Sequence, residues 1–155
     1  MQRMAADAVR AENAMTDGVV AVPRPLPALD DANRAYWTGG ATGQLLIVRC
    51  SDCGYWIHPP SPACPQCLSR NVAPQATGGR GTVLTFTVNH QLWHPAFPPP
   101  YVIALVELDE QKALRVVTNI VGCAAEDVHP GMPVQVRFEQ VDDVHIPLFA
   151  PVSAS

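Results

Sequence analysis

Two short motifs, Cys50-Ser51-Asp52-Cys53-Gly54 and Cys64-Pro65-Gln66-Cys67, decide the fold of this chain. Two residues separate the cysteines within each pair, and ten residues lie between the pairs. Four thiolates delivered by two turns suit a tetrahedral metal ion and leave no open position for substrate or water. The spacing therefore predicts a structural zinc site with Cys50, Cys53, Cys64 and Cys67 as ligands.

Other interpretations of the cysteines remain open. Iron accepts the same four sulfur ligands as zinc, so the sequence separates the two metals poorly. A redox disulfide fits less well, since redox CxxC motifs occur singly at the start of a helix. Thiols without metal rarely show this spacing. Cys123 lies outside both pairs, and the arrangement favours a reducing compartment over a secreted disulfide framework.

The composition indicates a mainly β protein. The chain has 155 residues, 48% of them apolar and 15% charged, which is enough apolar sequence to bury a core. Its sixteen prolines each remove a backbone donor and fix φ, which excludes long helices across most of the chain. No apolar stretch approaches the roughly 20 residues that span a bilayer, and no signal-peptide pattern is visible. We expect a soluble cytoplasmic protein.

Four segments are predicted along the chain. Residues 1–29 form a flexible N-terminal arm that is rich in valine and proline near its end. Residues 30–43 form a short helix, which Asp30 or Asp31 caps and Gly39-Gly40 ends. Residues 44–77 form the zinc ribbon, and residues 78–151 form a barrel.

The barrel is predicted from five β-like runs. In residues 82–89, the apolar Leu84, Phe86 and Val88 alternate with threonines, which indicates a strand with one buried face. The other runs are residues 101–108, 114–121, 134–138 and 146–149. Five strands of this length suit a small closed barrel. The proline-rich connection at 91–100 is expected to be an ordered surface loop.

Taken together, these pieces resemble the DUF35 family over residues 30–150. The resemblance is carried by Ala35-Tyr36-Trp37, Cys50-Ser51-Asp52-Cys53-Gly54, Pro59-Pro60, Cys64-Pro65-Gln66-Cys67, Gly79-Arg80-Gly81-Thr82-Val83, Thr85-Phe86-Thr87-Val88, the run from Pro95 to Tyr101, Val106-Glu107-Leu108-Asp109-Glu110, Gly131-Met132-Pro133-Val134 and Pro147-Leu148-Phe149-Ala150-Pro151. It implies a rubredoxin-like zinc ribbon followed by an OB-fold barrel. The chain departs from the family pattern at Leu68, where glycine is usual, and at Gln111-Lys112.

The resemblance also implies a function. Family members look like non-catalytic companions of thiolase-fold enzymes, including thiolases, acyltransferases and lipid-transfer-protein-type aldolases, and they also occur beside MaoC-like hydratases. It implies an accessory subunit that stabilises such an enzyme and shapes its CoA and acyl channel, with a retro-aldolase of steroid side-chain degradation as the first choice. A hetero-oligomer is implied, with a heterotetramer around a partner dimer as the expected form. A CoA thioester would bind at the interface.

Six residues are candidate contacts with the partner or with acyl-CoA. A proline-stiffened aromatic loop binds with little loss of entropy, and arginine pairs well with phosphate. These candidates are Trp93, Phe97, Pro100, Tyr101, Arg80 and Arg115. Alternatively, Phe97 and Tyr101 simply plug the end of the barrel.

Three other functions were weighed. A weak enzyme would use His90 and His94 with Glu107 or Asp109, but the β pattern and Pro95 do not bring the two histidines together as a helix would. A nucleic-acid module is disfavoured, because residues 81–155 contain three basic and eight acidic side chains. A free-standing acyl-CoA-binding protein stays open. We expect neither a nucleic-acid nor a membrane partner.

Overall fold

The computed structural model describes residues 22–153. Most of the predicted flexible arm at 1–29 therefore lies outside the described residues, and residues 22–29 contain no helix or strand. Two compact units can be distinguished: one includes residues 22–25 and Leu92–Pro98, and the other includes residues 26–91 and 99–153. Among the described residues, no helix is both long and apolar enough to span a membrane.

A short helix, α1 (Arg34–Thr38), precedes the ribbon. The N-cap of the helix is Asn33, which makes no side-chain cap bond, and not the predicted Asp30 or Asp31. The Asp30 carboxylate accepts a hydrogen bond from the Asn33 backbone N–H at 2.8 Å in the turn before the helix. The helix ends at Thr38 with Gly39 as its C-cap, as predicted, and a separate 3₁₀ turn follows at Gly39–Thr42. A Cβ atom on Gly40 would lie 2.5 Å from Cβ of His145, so this glycine permits close packing against the barrel.

The ribbon is a three-stranded antiparallel sheet. Its strands are β1 (Leu46–Cys50), β2 (Trp56–Ile57) and β3 (Val72–Ala76), in the order β2-β1-β3. Cys50 is the last residue of β1 and Cys53 lies in the turn that follows it, whereas the second cysteine pair lies in the connection between β2 and β3. The sheet therefore sets the positions from which both cysteine turns begin.

Within residues 22–153, five further strands close a barrel. These are β4 (Arg80–Asn89), β5 (Tyr101–Leu108), β6 (Arg115–Ile120), β7 (Pro133–Val141) and β8 (Val144–Pro151), in the order β4-β5-β6-β8-β7. The core includes the fully buried Val83, Val106, Val116 and Phe149, because these β-branched and aromatic side chains fill the interior of a small barrel. The predicted fold class, a zinc ribbon region followed by a five-stranded OB-like barrel, is confirmed.

One detail of the predicted alternation in β4 is wrong. Val83 is the fully buried residue, whereas Leu84 is only half-buried. The cause is a β-bulge, which shifts the pairing with β5 between Val83 and Thr85. After the bulge, Phe86 and Val88 pack against the core as predicted.

Candidate metal centre and partner-contact residues

The four predicted metal ligands meet at one point. Their sulfur atoms all lie within 4.8 Å of one another. The Sγ atoms of Cys50 and Cys67 are 3.6 Å apart, and those of Cys53 and Cys64 are also 3.6 Å apart. These distances are too long for disulfides, whose sulfur atoms lie about 2.05 Å apart.

The donor set fits a tetrahedral metal. Four sulfurs bound at 2.3 Å to a central zinc would lie about 3.8 Å from one another, close to the observed separations. Cys50 and Cys64 are buried, whereas Cys53 and Cys67 are exposed at the surface. Four protein ligands complete a tetrahedral shell, so the arrangement is that of a structural metal site.

Two equivalent turns present the cysteines. The backbone N–H of Gly54 donates to the Cys50 carbonyl at 2.9 Å, and that of Leu68 donates to the Cys64 carbonyl at 2.9 Å. The residue after each pair also has a positive φ, 78° at Gly54 and 64° at Leu68. Leucine is disfavoured in this left-handed conformation, so the departure from the family pattern at Leu68 places a strained residue in the second turn.

Hydrogen bonds act on both thiols of the first cysteine turn. A hydrogen bond from the Cys53 backbone is the main cause that lowers the pKa of Cys50 to about 7, which favours the thiolate that binds a metal. The pKa of Cys53 is raised instead, because a hydrogen bond from the Tyr55 backbone is outweighed by burial and the neighbouring thiols.

Asp52 accepts hydrogen bonds from the Ser69 hydroxyl and, at 3.0 Å, from the Asn71 amide. These two bonds hold the pKa of Asp52 below its usual range. The Asp52 carboxylate thereby links the first cysteine turn to the segment that follows the second cysteine turn.

A glutamine ties the ribbon to the barrel. The side-chain amide of Gln111 accepts from the Trp56 N–H at 2.9 Å and donates to the Trp56 carbonyl at 3.1 Å. The indole of Trp56 is buried in the main core, and the Arg49 guanidinium lies 4.9 Å from its ring centre. Arg49 also donates to the Gly54 carbonyl at 2.9 Å. A chain of contacts therefore connects the first cysteine turn to the β5–β6 hairpin.

Sequence reasoning missed both links. Gln111 was noted only as a departure from the family pattern, and its partner Trp56 is 55 residues away. The contacts of Asp52 span 17 and 19 residues. No local pattern reveals contacts of this kind, although the unusual glutamine in a turn was a usable signal.

The predicted aromatic contacts fall in different parts of the chain. Trp93 is 75% exposed. In the same unit, the Arg24 guanidinium lies 5.0 Å from the centre of the Phe97 ring, and the His94 ring lies 5.5 Å from it. Pro100 is exposed just before β5, and Tyr101 begins β5 opposite Asn89.

Each predicted arginine has a neighbour on the barrel surface. Arg80 Nε donates to the Gln135 side chain at 3.2 Å. Arg115 Nε lies 3.8 Å from the Glu107 carboxylate, which also accepts from the Ala113 N–H. Glu107 therefore offsets the charge of Arg115, whereas Arg80 pairs with a neutral amide.

The histidine and carboxylate of the enzyme alternative lie apart. His90 directly follows Asn89, which pairs with Tyr101 at the start of β5, whereas Glu107 pairs with Thr82 near the other end. Six residues of strand separate positions 101 and 107, or about 20 Å at the usual rise. This arrangement does not allow direct proton exchange between His90 and Glu107.

Both halves of the chain match described domains. Residues 37–73 match "ChsH2, rubredoxin-like zinc ribbon domain", and residues 74–139 match "ChsH2, C-terminal OB-fold domain". The chain is similar to a "DUF35 domain-containing scaffold protein" of Methanocaldococcus jannaschii, with 35% identity over 64% of this chain and 70% of that protein.

A longer relative is an enzyme subunit. The "3-oxo-4,17-pregnadiene-20-carboxyl-CoA hydratase alpha subunit" of Mycobacterium tuberculosis is 37% identical over 79% of this chain. The chain spans 38% of the length of that subunit. Among solved structures, a chain of "Ltp2-ChsH2(DUF35) aldolase" is 40% identical with a TM-score of 0.72, over 81% of this chain and 98% of that one.

Proposed function

This chain belongs to the DUF35 family of zinc ribbon and OB-fold proteins, and we propose that it is a non-catalytic accessory subunit of an acyl-CoA enzyme. One observation carries the proposal: a chain of an aldolase structure matches this one over both ribbon and barrel and is covered to 98%. Catalysis is expected on the partner. Ribbon 44–77 and barrel 78–151 would then act as one docking module.

Zinc is the proposed metal, held by Cys50, Cys53, Cys64 and Cys67. Four thiolates in a closed tetrahedral set suit zinc, and the ion would supply structural stability and no catalytic step. Its role would be to fix the two cysteine turns. The first of these turns is connected to the barrel through Arg49 and Trp56.

The proposed partner is a thiolase-fold enzyme, with a retro-aldolase of steroid side-chain degradation as the first choice. The similarity to an aldolase structure supports the reaction type, and the steroid-like acyl-CoA in the hydratase relative's name supports the substrate class. We expect a heterotetramer around a partner dimer.

Contacts with the partner and with CoA are proposed at the surface. Trp93, which is exposed, and Phe97 offer aromatic anchors of the kind that dominate interfaces. Tyr101 is a further aromatic candidate at the start of β5, and Pro100 is the exposed residue before it. Arg80 is the better of the two candidates for a CoA phosphate, since its hydrogen-bond partner Gln135 is neutral while Glu107 competes for Arg115.

The test is co-purification from the native host. The tagged chain should recover an acyl-CoA enzyme, and the recovered complex should cleave or hydrate a steroid-type CoA thioester. Recombinant chain by itself serves as the control and should show no turnover. A chain that purifies alone and turns over substrate unaided would overturn the accessory role.

The second candidate is an accessory role on an enoyl-CoA hydratase. It is favoured by the hydratase subunit that contains a region similar to this chain. The same recovered complex distinguishes the two candidates, because hydration adds water to a double bond whereas a retro-aldol reaction releases a carbonyl fragment.

A further inference from the structure

The outer face of the barrel carries an apolar depression on β4, β5 and β6. Its volume is about 310 Å³. The residues that line it are Thr85, Phe86, Thr87, Ile103, Ala104, Leu105 and Val117. Two of them, Phe86 and Ala104, belong to the core side of the sheet. None of these seven residues is ionisable.

Strand pairing places the outward side chains in two rows. Thr85 lies opposite Leu105, which lies opposite Val117 on β6. Thr87 lies opposite Ile103 in the neighbouring row. Successive side chains of a strand point to opposite faces, so these residues share the side that faces away from the barrel core.

The face breaks the usual pattern of a solvent-facing sheet. Antiparallel strands with one wet face alternate apolar and polar residues. Here Val117 is 69% exposed and Ile103 is 37% exposed, although both point outward. Covering them removes apolar surface from water, at roughly 25 cal/mol for each Å². The strand β5 is therefore apolar on both of its faces and not only on the face toward the core.

The size and charge of the depression argue for a partner protein. Seven lining residues are far fewer than the roughly 20–30 that each side of a stable interface provides, so the depression can form only part of a protein interface. Two copies, each with a net charge of −4, would repel. An acyl chain on such an open face would stay partly wet, whereas ligand pockets bury about 70–90% of a ligand.

The surroundings fit the centre of a larger interface. The Glu107–Arg115 ion pair, with 3.8 Å between its atoms, lies in the next row on the same face. An apolar centre with a polar margin is the usual arrangement of a protein–protein interface. OB folds also commonly bind ligands on their second and third strands, which correspond here to β5 and β6.

We infer that the face centred on Ile103, Leu105 and Val117 docks an apolar surface of the partner enzyme. The partner inserts one or two aliphatic or aromatic side chains into the depression. This inference rests on the proposed function, and it names the surface through which the accessory role is exerted.

The test measures affinity between the purified full chain and the acyl-CoA enzyme recovered with it. Val117→Arg blocks the depression, and Ile103→Thr with Val117→Thr makes it polar while keeping residues that favour strands. The matched control is Val152→Thr, because Val152 has the same 37% exposure as Ile103 but lies outside the depression. Metal content and Tm are measured for every variant.

Loss of a central apolar contact typically costs more than 1 kcal/mol, so the double variant should weaken binding about 10-fold and Val117→Arg about 100-fold. The control should bind like the parent. Unchanged affinity in both variants would overturn the docking face while leaving the accessory role intact. Loss of acyl-CoA binding with normal enzyme binding would also overturn it. Failure of the parent chain to bind any acyl-CoA enzyme would overturn the proposed function itself.

Discussion

Replacing Leu68 with glycine should stabilise the metal-loaded protein. Leu68 has φ of 64°, and an L-residue in the left-handed region costs roughly 1–2 kcal/mol. Glycine removes this strain but has more freedom in the unfolded chain, which costs about 0.5–1 kcal/mol. The side chain is 79% exposed, so its removal forfeits only about 0.4 kcal/mol of burial. From the middle of these ranges, the expected net gain is about 0.3 kcal/mol.

Two matched variants separate backbone strain from side-chain loss. Leu68→Ala keeps the strain and loses the contacts, so it should be about 1 kcal/mol less stable than Leu68→Gly. Gly54 occupies the equivalent position in the first turn with φ of 78°, and a Cβ there would meet only the Arg49 guanidinium at ordinary contact distance. Gly54→Ala should therefore lose about 1 kcal/mol through backbone conformation.

The assay is denaturant unfolding at a fixed concentration of free zinc, because metal binding contributes to the free energy of unfolding. A change of 1 kcal/mol corresponds to roughly 2–4 °C in Tm for a chain of this size. The reasoning is refuted if Leu68→Ala stabilises as much as Leu68→Gly, or if Gly54→Ala leaves stability unchanged.

Three further predictions follow from the same structure. Cys50→Ser or Cys64→Ser should release the metal and unfold the ribbon, as measured by metal analysis and circular dichroism; full partner activity in a metal-free variant would contradict the structural role. Gln111→Leu leaves the Trp56 backbone N–H and carbonyl without partners and should lower the free energy of unfolding by about 1–3 kcal/mol. Gln111→Glu keeps one acceptor, so its loss of stability should be smaller. Equal unfolding curves for the parent and Gln111→Leu would argue against this link. Burial raises the pKa of Tyr36 from 10.0 to about 12, so stability that is present below pH 10.0 should be lost as pH rises through about 12. In a pH titration followed by phenolate absorbance, a late phase should be seen in the parent and should vanish in Tyr36→Phe. Titration curves of the same shape for the two proteins would contradict the raised pKa of Tyr36.

Local patterns predicted the parts of the structure that depend on local physics. The spacing of Cys50 and Cys53 and the alternation of Phe86 and Val88 express constraints within one turn or one strand. The bulge near Leu84 was not predictable, because it depends on pairing with β5. The contact between Gln111 and Trp56 joins residues far apart in sequence, so it depends on how the ribbon packs on the barrel.

The residues that break local rules show how the metal and the proposed docking face are connected. Ile103 and Val117 expose apolar side chains on strands β5 and β6, and Gln111 lies in the hairpin between these strands. Gln111 contacts Trp56, whose ring lies beside Arg49, and Arg49 bonds to the first cysteine turn. Loss of the metal would therefore disturb the β5–β6 hairpin that presents the proposed docking face, although the four cysteine ligands lie outside that hairpin. Rules broken at a surface usually mark function, and the proposed docking face would depend on the four-cysteine site through these contacts.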